Sequence, residues 1–195
     1  MTLKVHCKVD NAFLCTKVNL RRNVIKKHFN KSSFNILNCC AAKNKVWRSL
    51  DEFYNTSIIH LDLNPQFDGV IKCDANDYVQ NNDLSKFDII DIDTYGSPWD
   101  IFFNSIKSCT GTTVFFLTWG RTGKNLFNVP NIIKQTFNFP KSSKKGRNPL
   151  CKYMEKNITS LLVRGYENGI FIKDVYEGFP QGNARYFGLT VIKED

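Results

Sequence analysis

Residues 88–98 of this chain (DIIDIDTYGSP) place a carboxylate, an aromatic ring and a tight turn directly behind a short apolar strand. A buried parallel strand is typically such an apolar run, and open α/β sheets bind their ligands at the carboxyl ends of these strands. Asp93 and Tyr95 are therefore expected to lie in a cleft, where the acid can accept hydrogen bonds and the ring can stack on a planar group. The alternative is an ordinary turn, because Asp, Gly, Ser and Pro favour turns in any fold.

Two further acids follow apolar runs upstream of this motif. Residues 57–61 and 69–72 predict strands, and the first is followed by Asp62 and the second by Asp74. Since the carboxyl ends of parallel strands meet at one edge of a sheet, these acids are expected near the same cleft. For each acid the alternative is a helix cap or a turn residue.

The residues around these acids predict alternating strands and helices. Asn19 can cap a helix that carries Leu20, Val24, Ile25 and Phe29 on one face. Further elements are predicted as a strand over 34–37, a helix over 43–54, a strand over 87–92, a helix over 99–108 and a strand over 112–118. Five strands interleaved with helices indicate a parallel, doubly wound sheet with helices on both faces.

The pattern becomes irregular after residue 119 and then closes with two strands. A basic stretch occupies residues 141–147, and Asn148-Pro149 begins a predicted helix. Residues 170–176 and 185–192 predict an antiparallel hairpin. We expect a single domain over 1–195, made of an N-terminal extension and helix (1–33), the central motifs (34–119) and the basic loop, helix and hairpin (120–195).

The cysteine pattern indicates neither a disulfide framework nor a zinc site. The seven cysteines include no C-x-x-C spacing, and the adjacent pair at 39–40 cannot easily form a bond. His6-Cys7, and His60 near Asp62, are more simply explained as packed or solvated side chains than as metal ligands. We expect no metal and a reducing, intracellular compartment such as the cytoplasm.

The net charge and the hydropathy of the chain limit the classes of partner that it is expected to bind. The net charge of +9 and the pI near 9.2 favour an anionic partner, most commonly nucleic acid, although overall charge also serves solubility. The first ten residues lack the apolar core of a signal peptide, and no apolar stretch approaches 18 residues. We therefore expect no membrane partner.

The order of these segments resembles the class I methyltransferases that use S-adenosylmethionine. Residues 91–98 (DIDTYGSP) agree at seven of eight positions with the D-x-D-P-[FY]-G-S-P signature of the tRNA guanine-N2 dimethyltransferases. Residues 59–65 and 73–78 are similar to that family's D-I-x-P and D-A-x-x-x-[LFY] segments, in the same order. The resemblance implies a Rossmann-like sheet of seven strands in the order 3-2-1-4-5-7-6, with the seventh strand antiparallel.

The chain also departs from the family pattern. In the first loop, where the family has a pattern like L-D-A-x-A-A-S-G, Asn38 stands in place of the acid and Asn44 in place of the glycine. Thr94 replaces the proline of the signature. Because Asn tolerates left-handed backbone conformations better than most residues, the loop over 38–44 is still expected to turn beneath the cofactor.

The resemblance implies roles in holding S-adenosylmethionine. Asp62 would accept hydrogen bonds from the ribose hydroxyls, and Asp74 from the adenine amino group, with the Ala75 N–H nearby. The first loop would contribute Asn38, Cys40 and Ala42. Asp91 is expected on the opposite face of its strand, as a structural residue or as a secondary ligand of the loop.

The resemblance also implies the residues at the methyl acceptor. If the acceptor is an exocyclic amine, Asp93 would accept its N–H bond and Tyr95 would stack on the base. The remaining candidate substrate contacts are Ser97, Pro98, Trp119, Arg121, Lys144, Lys145 and Arg147. For Trp119 the alternative is a packed core residue, and for the basic stretch it is a solvated loop.

The residues leave three functions open. The first is methylation of a nucleobase amine, with RNA preferred over DNA and guanine as the first expectation. The second is an inactive member of the fold that binds nucleic acid or acts as a scaffold, which the altered first loop favours. The third is methylation of DNA, protein or a small molecule, because one fold supports many chemistries.

Overall fold

The computed structural model describes residues 13–94, 98–120, 170–181 and 184–193. Its elements in chain order are α1 (Leu14–His28), β1 (Ser33–Cys39), α2 (Lys45–Arg48), β2 (Asn55–Asp62), β3 (Val70–Lys72), α3 (Ala75–Asn81), β4 (Ile89–Ile92), α4 (Trp99–Ser108), β5 (Gly111–Gly120), β6 (Ile170–Gln181) and β7 (Ala184–Lys193). No helix within these ranges has both the length and the apolar character needed to cross a bilayer.

The seven strands form one sheet in the order β3-β2-β1-β4-β5-β7-β6. The strands β1 to β5 are parallel, whereas β7 is antiparallel to both β5 and β6. The predicted fold class, strand order and closing hairpin are therefore confirmed. The order reverses at β1, which lies between β2 and β4, and the crevice at such a reversal is where open α/β sheets bind ligands.

Two apolar cores cover the faces of the sheet. The alternation along β4 shows the division, because Ile90 and Ile92 pack with α3 and α4 while Ile89 packs with α1 and α2. Side chains alternate across a strand, so Asp91 and Asp93 share the α1 side with Ile89. The expectation that Asp91 lies on the opposite face from the site was wrong for this reason.

Two helix boundaries differ from the prediction. Helix α1 begins at Leu14, where the Lys17 N–H donates to the Phe13 carbonyl at 3.1 Å, so Asn19 lies inside the helix and caps nothing. Helix α2 ends at Arg48, and beyond Ser49 the Leu50 N–H donates to the Trp47 carbonyl at 2.8 Å and the Phe53 N–H to the Leu50 carbonyl at 2.9 Å, each three residues back. Tight turns replace the rest of the predicted helix, and the side chains of Trp47 and Leu50 are nevertheless buried.

Several predictions fall outside the described ranges. They concern the N-terminal residues 1–12, the basic stretch at 141–147 and the helix that begins at Asn148-Pro149. The assignment of the whole chain to one domain also stays a prediction.

Candidate active site

The carboxyl ends of the first four strands converge around Cys40, the residue that follows β1. The Ala41 N–H donates to the Leu61 carbonyl of β2 at 2.9 Å, and the Asp93 N–H donates to the Cys39 carbonyl at 3.3 Å. Burial, followed by the negative charges of Asp62, Asp93, Asp74 and Asp91, raises the pKa of the Cys40 thiol to about 12. The candidate site is thus an acidic edge centred on the first loop.

Asp62 ends β2 and binds the first loop through its carboxylate. Its Oδ2 accepts from the Ala42 N–H at 2.8 Å, and its Oδ1 accepts from the Asn64 N–H at 2.7 Å. The residue is half-buried, and a carboxylate has about four lone-pair sites, so each oxygen retains acceptor capacity. Asp62 can hold the loop and still accept hydrogen bonds from a diol.

The first loop turns through three residues with left-handed backbone conformations. Cys40, Ala42 and Asn44 have φ angles of 61°, 46° and 52°. An L-residue in this region costs about 1 to 2 kcal/mol, and Asn tolerates the conformation best. Asn44 therefore adopts the conformation expected of it in place of a glycine, although Cys40 and Ala42 do so without that advantage.

An amide and imidazole network lies beneath this loop. Asn38 is 3% exposed, and its Nδ2 donates to the Asn44 Oδ1 at 3.4 Å and lies 3.1 Å from the His60 Nδ1. The Asn44 Nδ2 lies 3.3 Å from the His60 Nε2. Burial and the nearby Arg48 charge lower the pKa of His60, so the ring is neutral at pH 7. A neutral ring has one N–H, so one of the two amides presents its oxygen to it.

This network gives the Asn38 side chain a supporting role. The side chain is buried under the loop and hydrogen-bonded there, and contact of the Asn38 backbone with a cofactor stays a prediction. His60 has the same supporting role and also packs edge-on against Phe67, with ring centroids 5.1 Å apart. Among the described residues, no three His, Cys, Asp or Glu side chains lie close enough together to hold a metal ion.

Asp74 is the N-cap of α3. Its Oδ1 accepts from the Asn76 N–H at 2.7 Å, which is the capping role weighed for it from the sequence. The side chain is exposed at the end of β3, and Ala75 behind it is buried. Capping uses one oxygen, so the other can still accept from an adenine amino group.

Asp93 lies just beyond β4 and is paired with a residue that the sequence did not indicate. The Lys17 Nζ donates to both carboxylate oxygens, at 2.7 and 2.6 Å. Burial alone would raise the pKa of Asp93, but the charges of Lys17 and Arg21 and the hydrogen bonds from Lys17 bring this pKa below its usual value. Asp93 is therefore a carboxylate at pH 7, and its side chain is 24% exposed.

Asp91 is a structural residue. It is 1% exposed, and the Arg21 Nε and Nη2 donate to its two oxygens at 2.8 and 2.7 Å. The Trp47 indole N–H adds a third bond at 2.7 Å. Both oxygens are bound inside the protein, so Asp91 has the structural role, which was one of its two expected roles, and not that of a cofactor ligand.

Two predicted substrate contacts are packed inside the protein. Trp119 is 8% exposed, and its ring meets the Trp99 ring edge-on with centroids 5.5 Å apart, so the packed alternative is the one observed. Pro98 is buried at the start of α4, where its carbonyl accepts from the Phe102 N–H at 3.0 Å. The Thr94 hydroxyl donates to the Thr118 carbonyl at 3.3 Å and so links β4 to β5.

The other predicted site residues lie outside the part of the chain that the structure describes. These are Tyr95, Ser97, Arg121, Lys144, Lys145 and Arg147. Their assignment to the acceptor stays a prediction.

The sequence patterns did not predict the two cations that face the acids, Lys17 and Arg21. Lys17 and Arg21 are four residues apart on α1, and the predicted helix began after Lys17. A detectable signal was present, because two long cations interrupt the side of the helix that carries Leu20 and Val24. Tyr186 of β7 also closes this side of the site, with the Lys17 Nζ 5.5 Å from its ring centroid.

Comparisons with known proteins identify the fold. No family model and no curated protein matches the sequence. Trm1 from Pyrococcus horikoshii, solved with S-adenosyl-L-methionine, aligns with a TM-score of 0.63 and 13% identity over 97% of this chain and 59% of Trm1. The plantazolicin methyltransferase BamL, solved with a desmethyl-plantazolicin analogue and SAH, aligns with a TM-score of 0.54 and 16% identity over 93% and 84%.

A third similar structure is not named as a methyltransferase. It is a candidate hemolysin from Lactococcus lactis, which aligns with a TM-score of 0.59 and 11% identity over 91% of this chain and 86% of that one. At these identities the similarity establishes the fold alone. The chain has the fold of methyltransferases that act on different substrates, and it spans about three fifths of the length of Trm1.

Proposed function

We propose that this chain is an S-adenosylmethionine-dependent methyltransferase that acts on an exocyclic amine of a nucleobase in RNA, with guanine as the first acceptor to test. The observation that carries the proposal is the convergence of Asp62, Asp74 and Asp93 around Cys40, at the reversal point of a sheet with the methyltransferase strand order. Similar folds have been solved with S-adenosylmethionine and with SAH, which supports the choice of cofactor.

The donor set at this edge fits such a cofactor. S-adenosylmethionine supplies, when bound, a methyl group on a positively charged sulfur. Asp62 would accept from the ribose hydroxyls with its remaining lone pairs, and Asp74 from the adenine amino group with its Oδ2. The backbone of Cys40 and Ala42, both in left-handed conformations, would form the floor of the cofactor site. An acidic edge also favours a cationic group.

Asp93 would orient the acceptor. An exocyclic amine is a weak nucleophile because its lone pair is delocalised into the ring, and a carboxylate that accepts one N–H steers that lone pair and stabilises the developing positive charge. S-adenosylmethionine would supply the methyl group, and the proton released from the methylated amine would pass to Asp93 or to water. Tyr95 is assigned to stacking on the base, which must be unpaired or flipped out of a helix to reach it.

Contact with RNA is assigned to the basic residues. The described edge of the site is acidic, which disfavours phosphates there. Arg121 and the stretch that contains Lys144, Lys145 and Arg147 are therefore proposed to bind the backbone, and Ser97 to lie near the acceptor.

A second candidate function is a nucleic-acid-binding protein without catalysis. Two observations favour it. Both oxygens of Asp93 are engaged by Lys17, and Cys40 and Ala42 hold left-handed conformations that glycine would adopt without strain.

Two measurements separate these functions. Calorimetric titration with S-adenosylmethionine is expected to give one-to-one binding, and the absence of heat would favour the non-catalytic protein. Transfer of a labelled methyl group is then assayed in parallel on tRNA, other RNA, DNA and protein. Label on RNA is expected, whereas label only on another class would move the acceptor to that class.

The assigned acid is tested by substitution. Asp93→Ala is expected to lower transfer at least about 10²-fold while leaving cofactor affinity nearly intact. The matched control is Asp88→Ala, because Asp88 precedes the same strand at the opposite edge of the sheet and is paired with Lys31 at 2.7 Å. Full transfer by the Asp93 variant would refute its role.

A further inference from the structure

We propose that Lys17 is a positioning residue, which acts on methyl transfer only by holding the Asp93 carboxylate in place. This inference rests on the function proposed above. The Lys17 Nζ donates to both oxygens of Asp93, and the lysine residue is 7% exposed although it carries a charge. A lysine this buried is rare unless it is paired.

A second ion pair sets the position of Lys17. Lys17 and Arg21 are one helical turn apart on α1, a rise of about 6 Å, and their partners Asp93 and Asp91 are two residues apart along the β4 direction, about 6.6 Å. The two spacings match, so both pairs can form only when the helix has one register against the strand. The pair of Arg21 and Asp91 is buried more deeply than the pair of Lys17 and Asp93. The Arg21 Nη1 also donates to the Lys17 carbonyl at 3.0 Å.

The groups around Asp93 leave Lys17 as its principal partner. Those that face it are Lys17 and Arg21 of α1, Cys40 of the first loop, Asp91 of its own strand, Thr118 of β5 and Tyr186 of β7. Burial and the charge of Asp93 raise the pKa of Tyr186 to about 12, and that of the Cys40 thiol is also about 12, so both are neutral at pH 7. Arg21 is bound to Asp91.

The geometry allows the pair to serve an acceptor. A carboxylate oxygen that accepts one N–H from Lys17 retains a lone-pair site, and the carboxylate is partly exposed. Two bonds from one ammonium hold both oxygens and so restrict rotation of the carboxylate. An error of about 1 Å in such a position can cost about 10²-fold in rate.

The experiment compares Lys17→Met, Asp93→Asn and the double variant for methyl transfer and for cofactor affinity. Lys17→Met is expected to lower kcat about 10- to 100-fold with unchanged cofactor affinity. The acid limb of its pH profile is expected to move to higher pH, because Asp93 loses the cation that favours its charged form. The double variant is expected to be no slower than Asp93→Asn alone, since Lys17 acts through that carboxylate.

Controls separate this role from simple stability. Lys31→Met removes an exposed lysine whose Nζ lies 2.7 Å from the Asp88 Oδ1, the distance that also separates the Lys17 Nζ from the Asp93 Oδ1. This variant is expected to leave the pH profile of methyl transfer unchanged. Lys17→Arg keeps a cation and is expected to restore part of kcat. Should Lys17→Met unfold, Lys17→Arg still decides when it is combined with Asp93→Asn, because a combined loss equal to the product of the two single losses contradicts an action through the Asp93 carboxylate.

Two results would overturn the proposal. One is a Lys17→Met variant with the kcat and pH profile of the unaltered chain, and the other is a double variant whose loss equals the product of the single losses. If the unaltered chain binds cofactor but transfers methyl to no acceptor, the proposed function fails instead. The NMR titration of the Asp93 carboxyl carbon then tests the pair directly, since Lys17→Met must raise that pKa.

Discussion

The buried ion pair between Arg21 and Asp91 yields a stability prediction. The Arg21 Nη2 lies 2.7 Å from the Asp91 Oδ1, and the two side chains are 2% and 1% exposed. Among the described residues, Arg21→Met would leave the buried Asp91 carboxylate with the Trp47 indole as its one remaining side-chain donor. Removing one partner of a buried pair costs about 3 to 5 kcal/mol, a large share of the 5 to 15 kcal/mol that stabilises a typical domain.

Urea unfolding measures this loss. With a slope of about 2 to 3 kcal/mol per M, the midpoint of Arg21→Met is expected to fall by about 1 to 2.5 M. The matched control is Lys31→Met, whose pair with Asp88 is also 2.7 Å long but involves side chains 49% and 22% exposed. Exposed pairs contribute about 0 to 1 kcal/mol, so this midpoint should hardly move.

A double variant isolates the cause. Arg21→Met with Asp91→Leu removes both charges, and its remaining loss is expected to be about 1 to 3 kcal/mol, because the Trp47 N–H loses its acceptor. Equal urea midpoints for Arg21→Met and Lys31→Met would contradict this prediction, since burial of the ion pair would then have no effect on stability.

Three further predictions concern the site and its support. Asp62→Ala is expected to weaken S-adenosylmethionine binding by about 1 to 3 kcal/mol in calorimetry, and unchanged affinity would remove Asp62 from the site. Gly188→Ala should lower the free energy of unfolding by about 1 to 3 kcal/mol, because the new Cβ would lie 2.9 Å from the Val24 Cγ2; equal stability would contradict the close packing of α1 on β7. At pH 8 Cys40 should react with iodoacetamide far more slowly than the exposed Cys15, because the pKa of the Cys40 thiol is about 12. Peptide mass spectrometry measures the labelling of each cysteine, and equal labelling of the two would contradict this.

The strands could be predicted because their signal is local. Buried parallel strands such as β1 and β4 are short apolar runs, and turn residues or acids end them. The helix boundaries were harder to predict from the sequence. The start of α1 lacks a side-chain cap, and α2 gives way to tight turns that still bury Leu50, so apolar spacing alone could not locate either end.

The strand order follows from the resemblance of the sequence to a known fold, and the sequence alone predicts Asp62, Asp74 and Asp93 at one edge of the sheet. What those acids contact depends on how the elements pack. Lys17 lies 76 residues from Asp93, and such a separation leaves no periodicity in the sequence. The pairing exists only once α1 has docked on the sheet in one register, because the partners meet through packing and not through the chain.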